Sequence, residues 1–83
     1  MDIYEEIRRE LREARMCHAT FNNAHEGWAV IYEEVVELQA EVFKKQPSRD
    51  FSRMRKEAIQ RMRKEAIQIA AMAIRFIEDV CKD

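Results

Sequence analysis

A single proline, Pro47, breaks this chain of 83 residues, and Gly27 is its only glycine. So few turn formers favour long helices over strands or disorder, and they exclude a glycine-rich phosphate loop. The same scarcity makes one small all-α domain covering residues 1–83 the expected unit. A chain of this size buries only about 60% of the surface that its unfolded form exposes. Yet 47% of its residues are hydrophobic, more than three short helices can cover alone. The excess predicts an interface with further copies, so that three-helix subunits assemble into a dimeric or tetrameric helical bundle.

Hydrophobic spacing divides the chain into three helices. Ile3, Ile7, Leu11 and Ala14 recur at helical intervals and predict a first helix from about Ile3 to Thr20. The polar connection Phe21-Asn22-Asn23 follows, with Asn23 as an N-cap and Glu26 placed to complete a capping box. The second helix is expected from about Ala24 to Lys45, with Trp28, Ile31, Val35, Leu38 and Val42 as its buried stripe. Val30, Val36 and Phe43 lie off that stripe and widen the apolar surface. Pro47 disfavours helix at Gln46 and ends the element. A third helix is expected to start between Ser48 and Ser52 and to run to about Val80. Its stretch 67–77 is apolar nearly all round, the pattern of a helix enclosed by several neighbours.

Inside that third helix the octapeptide RMRKEAIQ occurs twice in tandem, at 53–60 and 61–68, without a single difference. The period is too short for a solenoid unit, and identical copies point to a recent or deliberate duplication. Eight helical residues add about 12 Å and a net rotation of about 80°, so the two copies present different faces to any one neighbour. Only the second copy runs directly into the apolar segment 69–77. Glu65 and Gln68 are therefore expected at any site, with Glu57 and Gln60 in a displaced, solvated extension.

Charge is divided unevenly along the chain. Residues 1–41 hold ten acids and four bases, whereas 44–64 hold nine bases and two acids. No aromatic residue follows Phe51 within the basic stretch, which favours a solvated helix face over nucleic-acid binding. Cys17 and Cys81 lack any close spacing and read as inert, buried, reduced thiols, in keeping with a cytoplasmic location. No apolar run approaches the ~20 residues needed to span a bilayer, so no membrane role is expected.

The residues that carry chemistry are carboxylates. Glu34 and Glu37 share a helix face, with Glu33 and Glu41 flanking them. Two like charges about 4 Å apart cost roughly 4 kcal/mol at an effective dielectric near 20, so a folded cluster of this kind calls for a cation. Glu33-Glu34-x-x-Glu37, followed after 27 intervening residues by Glu65-x-x-Gln68, resembles the E-E-x-x-E and E-x-x-D signature of the MazG-like all-α nucleoside triphosphate pyrophosphohydrolases. Ala24-His25-Glu26-Gly27-Trp28 and Ala70-Ala71-Met72-Ala73 are similar to the wording of short phage-type members. That resemblance implies hydrolysis of a (d)NTP to (d)NMP and pyrophosphate with Mg²⁺, or with Mn²⁺ in its place. It makes Glu34, Glu37 and Glu65 metal ligands and Glu33 a ligand or general base. Gln68 stands where the signature has Asp; its amide oxygen can ligate but carries no charge.

Other assignments compete with these. His25 fits a polar helix-end residue, or one touching base or phosphate. Trp28 fits the core, or a stacking partner for a nucleobase. Met54, Met62 and Met72 fit packing roles. Two further classes stay open: a non-catalytic helical assembly protein, and an engineered helix-duplication variant of such an enzyme.

Overall fold

The computed structural model describes residues 2–44 and 52–82, the first three of the second span by backbone alone. Among them are three helices and no strand: α1 (Ile3–Cys17), α2 (Ala24–Phe43) and α3 (Ser52–Val80). The break at Pro47, the expected end of α2 at Lys45 and the start window before Ser52 fall outside the described residues.

Local signals set two helix starts. Asp2 caps α1 by accepting the Glu5 N–H at 2.8 Å, and Glu5 and Glu6 place negative charge on its first turn. Asn23 caps α2 through the Glu26 N–H at 2.9 Å. The Glu26 carboxylate does not close a capping box with Asn23; it accepts from Asn22 Nδ2 at 3.0 Å.

α1 ends at Cys17, short of the expected Thr20, because His18 turns extended. Tertiary contacts explain the early stop. Arg75 donates to the Ala19 carbonyl, and Asp79 accepts the Phe21 N–H at 3.0 Å, so the link is drawn onto α3. Phe21 thereby leaves the polar connection expected of it and enters the core at 5% exposure. It packs there with Ala71 and Met72, while Ile7, Leu11, Val30 and Phe76 close around them.

α2 runs antiparallel to α3, placing Gly27 against Phe76, Glu37 near Glu65 and Glu41 on Arg61 at 3.0 Å. α1 runs parallel to α3, with Glu6 paired to Arg63 and Arg15 to Glu78 and Asp79 at 2.8 and 2.9 Å. Each packs on α3 and not on the other, which leaves a groove between them.

The inward face of α2 shares only Ile31 and Leu38 with the stripe that hydrophobicity picks out. Trp28, Val35 and Val42 are exposed, at 59%, 40% and 46%. Gly27, Ile31, Glu34, Leu38 and Glu41 turn towards α3 instead. Gly27 dictates this rotation, being the residue small enough to meet the Phe76 ring. Trp28 is consequently no core residue, and Tyr32, Val36 and Phe43 extend the same exposed apolar face. Cys17 and Cys81 sit at helix ends and are exposed, contrary to the expectation of buried thiols. Met72 is buried and Met62 half-buried, while the side chain of Met54 is not among those described.

The duplicated octapeptide meets different fates in its two copies. Ala58 is buried at 3% while its counterpart Ala66 is exposed; Ile59 is 47% exposed while its counterpart Ile67 is 9%. A net turn of about 80° per eight residues produces this exchange. No helix of the described residues is long and apolar enough to cross a membrane.

Candidate metal centre

The antiparallel register of α2 and α3 gathers carboxylates that are far apart in sequence. One oxygen from each of Glu34, Glu37 and Glu65 lies within 4.8 Å of the others. Glu34 and Glu37 are one turn apart on α2, and Glu65 faces them from α3. Of the two octapeptide copies, the second supplies this residue; Glu57 and Gln60 of the first are exposed one repeat away.

Gln68 sits one turn beyond Glu65. With its amide nitrogen turned inward it donates to Glu34 Oε2 at 2.9 Å and to Glu65 Oε2 at 3.0 Å. With its oxygen inward, Nε2 points to α1 and donates to Glu10 Oε1 at 3.4 Å.

Burial and the crowding of negative charge both show in the acidities. Burial, then Glu37 and Glu65, push the Glu34 carboxyl from 4.5 up to about 7. Burial, then a hydrogen bond with Glu37, also raises Glu65 above the usual carboxylate range. At pH 7 the Glu34 carboxyl is therefore protonated in roughly half of the molecules, and a cation would displace that proton. All candidate donors are oxygens, three carboxylates and an amide. Such a set suits a hard ion such as Mg²⁺ or Mn²⁺ over the softer ions favoured by thiolate or imidazole.

The cluster borders the groove between α1 and α2, a cavity of about 580 Å³ floored by α3. Glu34 and Gln68 belong to both, and Phe21, Val30 and Met72 supply an apolar wall. Glu33 lies outside the cluster but lines the groove beside it. His25 and Trp28 are exposed and do not line it; Trp28 pairs with Tyr32, ring centroids 5.9 Å apart. Within the basic stretch, Arg61 and Lys44 pair with Glu41, and Arg63 pairs with Glu6.

Sequence reasoning did not reach Glu10. Its signal was available: Glu10 follows Ile7 by three residues and precedes Ala14 by four, so a carboxylate interrupts the apolar stripe of α1. Arg75, within the apolar run 67–77, was a second such signal. It is 3% exposed, stacks its guanidinium on the Phe21 ring at 4.0 Å and lies 3.9 Å from Asp79.

No known family, curated protein or solved structure matches the chain.

Proposed function

We propose that this chain is a Mg²⁺-dependent hydrolase of the MazG-like kind, converting a nucleoside triphosphate to the monophosphate and pyrophosphate. The observation that carries this reading is the meeting of Glu34, Glu37 and Glu65, from two helices, at the edge of a groove of about 580 Å³. A cavity of that volume falls within the range of small-molecule sites.

Glu34, Glu37, Glu65 and Gln68 would hold the ion. When bound, Mg²⁺ supplies charge neutralisation for phosphate oxygens and acidity for the attacking water. Glu33 lies outside the cluster but lines the groove, which supports assigning it the role of general base toward that water. Phe21, Val30 and Met72 offer an apolar surface to the nucleoside. The exposed face of Trp28, Tyr32, Val36 and Phe43 suits a second copy of the chain, giving a homodimer or a dimer of dimers. That face also suits a non-catalytic helical assembly protein, which the assay below separates from the enzyme.

Purified protein is incubated with mixed dNTPs and millimolar Mg²⁺, and pyrophosphate is assayed. Release should stop with EDTA and fall steeply in Glu37→Gln and Glu65→Gln. Glu33→Gln should lose about 10²–10⁴-fold in rate while keeping Mg²⁺ affinity. An inactive wild-type chain that still binds Mg²⁺ would end the enzymatic reading.

A further inference from the structure

We propose that Gln68 is a two-way amide latch of the metal centre. With nitrogen inward it holds the metal-free carboxylates together, and on metal binding it turns to offer its oxygen while its nitrogen passes to Glu10. This inference rests on the metal reading above and adds how the centre copes without its ion.

An amide serves both states without any change of protonation. A carboxyl at position 68 could donate only while protonated, and once ionised without a cation it would add a further negative charge to the cluster. Gln68 lies between two sets of oxygens: Glu34 Oε2 and Glu65 Oε2 at 2.9 and 3.0 Å on one side, and Glu10 Oε1 at 3.4 Å on the other. Nitrogen inward gives two short, charge-assisted hydrogen bonds, which outweigh the single longer one to Glu10. A cation between Glu34 and Glu65 reverses the preference, because the amide nitrogen would then face positive charge. Rotation about the terminal torsion of a glutamine is soft and roughly two-fold, so no backbone need move. Glu10 is thus a positioning residue: it never meets the ion but stabilises the oxygen-inward state.

The latch is tested on the 83-residue chain labelled with ¹⁵N, the Gln68 side-chain NH₂ pair being assigned by its loss in Gln68→Leu. MgCl₂ is titrated by NMR and, in parallel, by calorimetry on the wild type, Glu10→Ala and Gln68→Asp. Mg²⁺ should shift the Gln68 pair. Glu10→Ala should weaken Mg²⁺ binding by about 2–10-fold, the worth of one hydrogen bond, without lowering the metal-free melting temperature. Mg²⁺ binding with an unmoved Gln68 pair, or with undiminished affinity in Glu10→Ala, rejects the latch and leaves the centre standing. Failure of both wild type and Gln68→Asp to bind Mg²⁺ rejects the centre, and the latch with it.

Discussion

Gly27 lies so close to Phe76 that a Cβ built on it falls 2.5 Å from Phe76 Cδ2, and 3.2 Å from Cδ2 of the buried Phe21. The contact fixes both the rotation of α2 and its distance from α3. Alanine normally stabilises a helix interior relative to glycine by about 0.5–1 kcal/mol. Here we expect Gly27→Ala to destabilise by about 1–3 kcal/mol, the cost of overpacking, measured by urea unfolding. Phe76→Leu should recover part of that loss in a double-mutant cycle. A stabilised Gly27→Ala would show that α2 has room to spare.

A second joint ties the α1–α2 link to the end of α3. Asp79 is 5% exposed in its side chain, accepts from the Phe21 N–H at 3.0 Å, and pairs with Arg15 at 2.9 Å and Arg75 at 3.9 Å. Burial pushes its carboxyl up, but the Phe21 N–H and the two arginines together hold it below its ordinary value. Asp79→Ala leaves the Phe21 N–H without its acceptor and the buried Arg75 without its nearby counter-charge, although Arg75 keeps the Ala19 carbonyl. We expect a loss of about 3–5 kcal/mol, as when one partner of a buried pair is removed. Asp79→Asn keeps an acceptor for Phe21 and should fall between that variant and the wild type in thermal unfolding.

Much of the architecture could be read from residues alone, and what could not has a common cause. The three helices, the Asn23 cap and the pairing of Glu65 rather than Glu57 with α2 follow from local spacing and from the apolar segment that succeeds the second octapeptide. The face of α2 does not, because hydrophobicity ranks Trp28 above Gly27, whereas close helix approach ranks them the other way. Phe21 looks like part of a polar turn until Arg75 and Asp79, more than fifty residues away, draw it inward. Glu10 and Gln68 meet across two helices, a relation that no spacing within one helix reveals.

The acidic cluster gives stability an unusual pH dependence. Glu34 titrates near 7 in the folded chain against an ordinary 4.5, and Glu65 is also raised. Between those values the folded state keeps a proton that the unfolded state releases, so stability falls as pH rises from about 4.5 to about 7. Glu6, Glu41 and Asp79 act with the opposite sign. Their acidities lie below the ordinary 4.5 and 3.8, so their contribution is present above those values and lost as pH falls through them. The metal-free melting temperature should therefore peak near pH 4.5 and decline towards neutrality. Glu34→Gln should flatten the decline, and Mg²⁺ should offset it increasingly above pH 7. A wild-type profile that is level between these limits would contradict the crowding of Glu34.

Deleting 53–60 and deleting 61–68 yield the same shortened chain, so the fold must decide which copy the survivor resembles. The Glu41–Arg61 and Glu37–Glu65 pairs set the register, and continuing it brings Phe43 level with Ile59. The part of α3 before that point lies beyond Phe43, the end of α2, although Ala58 within it is buried. In the shortened chain, Ser52 directly precedes the retained octapeptide. The connection from Lys44 to Ser52 is then long enough to join neighbouring helices whose axes lie about 8–10 Å apart. The retained copy still runs into the segment 69–77 that packs the core, so it should take the place of the second. We expect helical circular dichroism to fall by about one eight-residue segment, some 12 Å of helix, with stability within about 1 kcal/mol of the parent. Mg²⁺ affinity should be unchanged. Loss of Mg²⁺ binding in a chain that remains folded would mean that the first copy supports the centre rather than extending beyond it.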